Sequence, residues 1–372
     1  MTNRERLLAV LDGQSVDRVP MWLLFPYHPT SYYVDVRRSP RYWPIYERSK
    51  ERAVMLNRRN PRVNLYPAVT GDTEEWTENG ECITRQHWRY RDIHLYSDVI
   101  RGSGTTRLKK LLDSDADLEQ LARLPVETDP AAVHRQLDAW LPQYLGEKRE
   151  FPVHYGSMML DLGEPINFLY QQSNLESFSI WSLTQSDRIV GLLEQYMRHK
   201  RAVYTYCLER DLADVYFMVG SELASPPLVS RRTFQKWIVP YGKELVDLIH
   251  SYDKKVIMHY HGQIKSILED FLTMGPDGLH TVEAPPVGDC TLDEAFSVLG
   301  DAVTLIGNVQ YDCFRSYSVE EMADEVRRII DEAAGRRFIL SPTAGPFDAD
   351  ISPSMVQNYL AFLDTGWAYG KY

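Results

Sequence analysis

The sequence lacks the features that mark membrane, secreted and nucleic-acid-binding proteins. No apolar run approaches the roughly 20 residues needed to cross a bilayer, and the amphipathic start, MTNRERLLAVLDG, does not resemble a signal peptide. Cysteine is scarce, and none of the four residues lies in a C-x-x-C pair. Positive charge is not in excess, because the net charge is −11. These absences predict a cytoplasmic protein with neither nucleic acid nor a membrane as partner.

Nucleotide-binding motifs are also missing. The segment GSG at 102–104 lacks the third glycine of a dinucleotide-binding loop, and the sequence has no Walker A, H-E-x-x-H or nucleophile-elbow motif. Neither NAD nor ATP is therefore expected as a cofactor.

What the sequence does contain is a regular alternation of strands and helices. It has 372 residues, of which 44% are hydrophobic, enough for a large core. Short β-branched runs separate amphipathic helices from about residue 150 onward, as in βα units. The strand candidates are residues 18–24, 63–69, 152–156, 213–220, 255–259, 278–283, 303–308 and 337–340. Eight strands predict a (β/α)8 TIM barrel, with residues 1–372 as a single domain.

Residues 71–150 fit this alternation poorly. Alternating polar and aromatic residues around 81–90 resemble a hairpin, and helical segments follow near Leu118 and at 131–145. We interpret this stretch as an insertion between the second and third barrel strands, with a lid as its candidate role.

Polar residues stand at the ends of four consecutive predicted strands, where the chemistry of such barrels gathers. They are Glu222, His259 with His261, Glu283 and Asn308. Alternation along a strand projects His259 and His261 to the same side. Two imidazoles with Glu222 and Glu283 would suit Zn²⁺, Fe²⁺ or Mn²⁺, and a hydrogen-bonded network without metal is the alternative. Glu222, His259, Glu283 and Asn308 are the candidate catalytic residues.

Weaker candidates for substrate binding follow other strands. Aromatic residues after the first strand would line a pocket or pack against a helix. Of the two candidates in the third strand, only one can face inward. The segment SPTAGPFDAD after the last strand would supply an anion contact or form a plain loop. These candidates are Trp22, Phe25, Tyr27, His28, His154, Tyr155 and Asp348.

The stretch 37–62 reverses the acidic character of the chain. It carries nine basic residues against Glu47 and Glu51. It would receive an anionic ligand or partner, or form a solvated helix face.

Several segments together resemble the uroporphyrinogen decarboxylase superfamily, which includes corrinoid-dependent methyltransferases. They are RERLLAVLDGQSVDRVPMW, GSELASPPLVSRRTFQKWIVPYGKELVDLIHS, KVIMHYHGQI, VEAPPVGD and LIGNVQ. The resemblance implies a (β/α)8 barrel with its site at the C-terminal mouth.

Two departures from the family bear on the reaction. The decarboxylase carries arginine after its first strand to hold substrate carboxylates, whereas this chain reads MWLLFPYHP. The thiol-methylating members carry H-x-C and a later cysteine that hold zinc, whereas His261 takes the first of these positions and Ala344 lies close to the second. An identical thiolate-ligated zinc site is therefore not expected.

The resemblance implies a methyltransferase-like enzyme that uses a small methylated substrate and a corrinoid (cobalamin) supplied by a separate protein. The alternatives are a lyase that decarboxylates a non-porphyrin acid, with Arg37, Arg38 or Arg85 as its carboxylate clamp, and a non-catalytic small-molecule-binding barrel. A homodimer is the expected assembly, because dimers are the commonest soluble oligomers.

Overall fold

The fold of the chain is α/β, and a computed structural model describes residues 1–219 and 221–372. The described strands are β1 (Met55–Arg59), β2 (Thr73–Glu78), β3 (Glu81–Tyr90), β4 (Ile93–Arg101), β5 (Thr106–Lys109), β6 (Gly156–Asp161), β7 (Val215–Val219), β8 (Lys255–Tyr260), β9 (Gly278–Thr281), β10 (Thr304–Val309) and β11 (Phe338–Pro342). Seven of them form a parallel sheet in the order β1-β6-β7-β8-β9-β10-β11.

The seven-stranded sheet closes into a ring through a very short segment. Met21 pairs with Leu340 of β11, and Trp22 pairs with Val54, immediately before β1. The amide of Trp22 donates to the carbonyl of Leu340 over 2.9 Å, and the amide of Val54 donates to Met21 over 2.6 Å. The first predicted strand is thus present as two bridging residues, and the predicted TIM-barrel architecture is confirmed.

Most of the described helices lie around the ring, and the first of them lies at one of its ends. The helices are α1 (Asn3–Leu11), α2 (Trp43–Arg52), α3 (Asp115–Ala122), α4 (Pro130–Glu150), α5 (Asn167–Gln172), α6 (Leu175–Thr184), α7 (Ser186–Glu209), α8 (Arg231–Trp237), α9 (Val239–His250), α10 (Leu268–Met274), α11 (Leu292–Leu299), α12 (Cys313–Ser316), α13 (Val319–Glu332) and α14 (Pro353–Tyr369). None that the structure describes is long and apolar enough to cross a membrane.

The inside of the ring has its own small apolar core. Inward side chains such as Leu56, Phe217 and Ile306 pack with Leu7 and Leu11 of α1. The Thr304 hydroxyl, where β10 begins, donates to the carbonyl of Val10 over 2.9 Å. Helix α1 therefore plugs the end of the barrel where the strands begin, which leaves the opposite end for polar side chains.

The insertion lies between the second and third barrel strands. Strands β2 to β5 form an antiparallel sheet in sequence order, and α3 and α4 follow it. Trp88 of β3 packs against Tyr66 and Phe168, with ring centroids 5.8 and 6.0 Å apart. One side of this sheet thus contacts α5.

Two predicted strands are placed differently by the structure. The second barrel strand is Met55–Arg59, whereas residues 63–69 are not in a strand. The third begins at Gly156, and residues 153–155 form a 3-10 turn before it. The later strands agree within about three residues at each end, although Gly220, the last residue of the predicted 213–220 strand, lies outside the described residues.

Candidate active site

A cluster of histidines occupies the inside of the barrel where the strands end. His259 of β8 is 7% exposed and lies between Phe217 and His280, with ring centroids 5.4 and 4.8 Å away. His261 follows the strand, and its ring stands perpendicular to that of His259 at 4.6 Å. The two predicted histidines are therefore neighbours, and His280 is a third member that the sequence analysis missed.

A chain of hydrogen bonds fixes which nitrogen of His259 carries hydrogen. His280 Nε2 lies 3.0 Å from the carbonyl oxygen of Pro342, so this nitrogen must donate. Its Nδ1 is then the acceptor in the neutral ring, and it lies 2.6 Å from His259 Nδ1. His259 therefore donates through Nδ1, and its Nε2 keeps a free lone pair. Burial, His280 and His261 hold the pKa of His259 well below its usual value.

His261 and Glu283 form an ion pair beside these rings. His261 Nδ1 lies 3.2 Å from Glu283 Oε1, and the amide of Gly262 donates to Glu283 Oε2 over 2.8 Å. Burial opposes charge on both groups, but their mutual contact outweighs it, so the pKa of His261 is raised and that of Glu283 is lowered. Glu222 adds to the rise at His261. An imidazole whose pKa is raised thus adjoins one whose pKa is lowered.

Asn308 and Glu222 occupy the same rim in different ways. Asn308 is buried, and its Nδ2 donates to the carbonyl of Val282 over 3.0 Å, so it supports the main chain after β9. Glu222 lies in the short turn Ser221–Ala224 after β7, and its charge acts on His261. Their proposed catalytic roles stay predictions.

An arginine that the sequence analysis assigned to a surface stretch enters the mouth of the barrel. Arg58 of β1 pairs with Asp161 at the end of β6, with Nε 3.0 Å from Oδ2. The guanidinium lies 5.0 Å from the centroid of the Phe217 ring, and its charge contributes to the lowered pKa values of His259 and His280. Arg58 and Asp161 are thus functional candidates that the sequence analysis did not single out.

Of the four aromatic candidates after the first strand, only Trp22 lies at this cluster, with its ring 5.3 Å from that of His280. Phe25 packs against Tyr42 and Tyr359 in the outer core. Tyr27 contacts Phe151, at the end of α4. The structure therefore separates Phe25 and Tyr27 from the histidines because the chain leaves the barrel interior after Leu24.

His28 is likewise outside the ring. Its Nδ1 lies 3.0 Å from Asn57 Nδ2, and its Nε2 lies 3.3 Å from Glu150 Oε2. Asn57 and Glu150 thus use both ring nitrogens, and the proposed contact of His28 with substrate has no support in this arrangement.

The remaining substrate-binding candidates lie apart from the cluster. His154 and Tyr155 belong to the 3-10 turn that precedes β6, at the end of the barrel opposite the histidines. The prediction that one of them faces the mouth is wrong because the strand begins after them. Asp348 accepts hydrogen bonds from Tyr311, over 3.0 Å, and from Arg315, which lowers its pKa.

The donor set does not form a metal centre as arranged here. Among the described residues, no three His, Cys, Asp or Glu side chains converge as metal ligands. His259 uses Nδ1 for His280, and Glu283 is held by His261 and Gly262. The four cysteines are unpaired, and Cys207 and Cys290 are buried. The geometry therefore fits a hydrogen-bonded network better than a resident metal.

A cavity of about 400 Å³ opens beside the mouth and is lined by Arg58, Asp161, Glu164 and Lys200, among others. Burial raises the pKa of Glu164 to about 7, against the effect of hydrogen bonds from Ser221 and Tyr260. Burial likewise lowers the pKa of Lys200 to about 8. The cavity thus places two readily titrated groups next to the cluster.

Comparisons with known proteins agree with this architecture. Two proteins of Methanosarcina barkeri named "Methylcobamide:CoM methyltransferase MtaA" are 26% and 25% identical over 145 residues. This match covers 39% of the chain and 40% of each relative, so the chain spans about two fifths of their length. A solved methyltransferase from Methanosarcina mazei has the same fold, with a TM-score of 0.58 and 19% identity over 98% of both chains.

A family model settles the relationship. The model described as uroporphyrinogen decarboxylase (URO-D) matches residues 170–363, which include β7 to β11 and the three histidines. The match covers more than half of the chain and confirms the resemblance found in the sequence. The chain therefore belongs to the uroporphyrinogen decarboxylase family.

Proposed function

We propose that the chain is a methyltransferase-like enzyme that moves a methyl group between a small methylated substrate and a corrinoid carried by a separate protein. The observation that supports this proposal is the neutral His259, with a free lone pair on Nε2, beside the His261–Glu283 ion pair at the barrel mouth. Similarity to proteins named as methylcobamide methyltransferases points to the same reaction class.

The two histidines would have different tasks. His259 Nε2 would accept a hydrogen bond from an acceptor group such as a thiol and so orient it, because its other nitrogen already donates to His280. The positive charge of His261, sustained by Glu283, would stabilise the heteroatom anion. A methylated corrinoid, when bound, would supply an electrophilic methyl carbon to this anion and would keep the electron pair of the broken cobalt–carbon bond. The proton of the acceptor would pass to solvent, because the lowered pKa of His259 disfavours a second proton on its ring.

This mechanism routes no step through a metal. The predicted N/O-ligated Zn²⁺, Fe²⁺ or Mn²⁺ at Glu222, His259, His261 and Glu283 would require Glu283 to leave Gly262 and His261. Metal analysis of the purified protein decides this point, because a resident ion would be stoichiometric and would be lost in His259→Gln.

Methyl exchange tests the proposal. The protein is mixed with methylcob(III)alamin and a panel of thiols, and loss of the methyl–cobalt absorbance is followed. His259→Gln should lower the rate by about tenfold, the effect of losing one orienting hydrogen bond of about 1.4 kcal/mol. His154→Gln makes the same change on an exposed residue at the opposite end of the barrel and should leave the rate unchanged. No exchange by the unmodified protein across the panel would refute the proposal.

The decarboxylase alternative has less support from the positions of its arginines. Arg37 is exposed and donates to the carbonyl of Tyr27, whereas Arg85 pairs with Asp98 in the antiparallel sheet. Arg38 is also exposed. Arg58 is in the mouth, but Asp161 occupies its Nε and Nη2. A non-catalytic binding barrel would instead give neither methyl exchange nor decarboxylation.

We also propose that the inserted segment 71–150 serves as a lid on the single barrel domain. Its Trp88 contacts Phe168, which lines the 400 Å³ cavity. Protection of β3 amides from hydrogen exchange should increase when a substrate occupies the mouth, and unchanged protection would count against a lid.

A further inference from the structure

The basic stretch 37–62 is mostly neutralised by ion pairs. Seven of its nine bases have carboxylate partners. The pairs are Arg38–Asp35, Arg41–Asp350, Arg48–Asp364, Arg52–Asp364, Lys50–Glu47, Arg58–Asp161 and Arg59–Glu147. The basic stretch is therefore not one continuous cationic surface, and only a small part of its charge is available to a ligand.

Arg62, one of the two bases of the stretch without a carboxylate partner among the described residues, lies at a pocket. This pocket has a volume of about 550 Å³ and lies between the end of β1 and helix α4, and Arg58, Arg59 and Arg62 are in its wall. Glu147 of α4 is the carboxylate among its lining residues. Arg62 is exposed and forms no ion pair within residues 1–219 and 221–372. The excess positive charge of the wall is therefore that of Arg62, because Asp161 and Glu147 compensate Arg58 and Arg59.

Arg59 is the buried member of this wall. Nine tenths of its side chain is buried, and Nε lies 2.7 Å from Glu147 Oε2. Its Nη1 donates to the carbonyls of Pro29 and Arg58 over 3.0 and 3.3 Å. Its Nη2 is buried and has no hydrogen-bond acceptor among the described residues. A buried guanidinium nitrogen without an acceptor is unfavourable, and an anion that reached it would relieve that cost.

Neutral donors surround the same pocket. Thr30, Ser31 and Trp140 line it, and their side chains carry two hydroxyl groups and an indole N–H. Together with the guanidinium groups they offer more donors than the four lone-pair sites of a carboxylate can accept. A phosphate group, with up to two negative charges and three or more oxygens, matches both the charge and the number of donors.

We propose that this pocket is a binding site for the phosphate group of a phosphate ester, held by Arg59, Arg62 and the hydroxyls of Thr30 and Ser31. None of the three histidines lines the pocket, although Arg58 adjoins both, and the proposal does not depend on methyl transfer. A free phosphorylated metabolite would bring a monoester, and a larger cofactor would bring a diester. Both sources share the same recognition chemistry.

Titration calorimetry on the full chain at low ionic strength tests the proposal. The probes are inorganic phosphate, glycerol phosphate, dimethyl phosphate and acetate. We expect saturable binding at one site for at least one phosphate compound, weaker binding of acetate, and loss of affinity as salt is added. Preference for glycerol phosphate would identify a monoester as the ligand, and preference for dimethyl phosphate a diester.

Arg62→Gln should weaken binding at least fivefold. Arg62 is exposed, so the variant should keep its fold, which circular dichroism checks. Arg38→Gln removes the same charge from the same basic stretch, but Arg38 is not in the wall of this pocket, so binding should stay within twofold. No saturable phosphate binding, equal losses in both variants, or acetate binding as tight as phosphate would each overturn the proposal.

Discussion

Replacing His280 with phenylalanine tests the hydrogen-bond chain at the centre of the candidate site. The substitution keeps an aromatic ring in the position but removes both partners that His280 provides. His259 Nδ1 would lose its acceptor, whereas the carbonyl of Pro342 would keep the hydrogen bond from the Ser341 hydroxyl. A buried polar group left without a partner costs about 1–3 kcal/mol. We therefore expect His280→Phe to lower the free energy of unfolding by about 1–3 kcal/mol, a substantial part of the total of about 5–15 kcal/mol.

Urea unfolding, followed by tryptophan fluorescence and by circular dichroism, measures this change. His154→Phe is the control because that residue is exposed and outside the cluster, and its effect should stay within about 0.5 kcal/mol. The double variant with His259→Phe should show a coupling of about 1–3 kcal/mol between the two sites. A loss below about 0.5 kcal/mol in His280→Phe would refute the hydrogen-bond chain, as would nitrogen NMR that places the proton of His259 on Nε2.

Two other predictions concern buried groups near the mouth. The pKa of Glu164 is about 7 in the folded protein, against an ordinary value of 4.5. Between pH 4.5 and pH 7 the folded state therefore binds more protons than the unfolded state. The free energy of unfolding should fall by roughly 3 kcal/mol as the pH rises through this range. Glu164→Gln should remove this slope in urea unfolding at a series of pH values, and an unchanged slope would refute the raised pKa. Gly242→Ala would place a Cβ 2.7 Å from Met274 Sδ and should cost about 1–3 kcal/mol. Gly191→Ala, also within a helix but with open space, should instead stabilise by about 0.5–1 kcal/mol, and equal effects in thermal unfolding would contradict this reasoning.

The eight-strand architecture was predictable because most barrel strands are short, apolar and β-branched. The second strand was misplaced because it reads MLNRR and has polar residues at three of five positions. Arg58 is tolerated there because Asp161 compensates its charge inside the mouth, and Asn57 is tolerated because it binds His28 outside the ring. Composition alone cannot reveal such partners, since they come from other parts of the chain.

The candidate site was predictable only where histidine and glutamate ended a predicted strand. His259, His261 and Glu283 were found in this way, whereas His280 was missed because it lies within a strand, where a lone histidine indicates little. Its signal is the parallel register, in which His280 lies directly beside His259. The failure at His154 and Tyr155 has the opposite cause, because an error in where the strand begins moved them to the wrong end of the barrel.

The two-residue closure of the ring has a consequence for how the protein is made. Met21 and Trp22 join β11 to the segment before β1, and nearby Arg18 donates to the carbonyl of Trp367 across 349 residues of sequence. Contacts between such distant segments carry a large loop-closure cost and form late in folding. On the ribosome, β1 and β6 to β10 can pair while synthesis continues, but the barrel stays an open, curled sheet until β11 emerges.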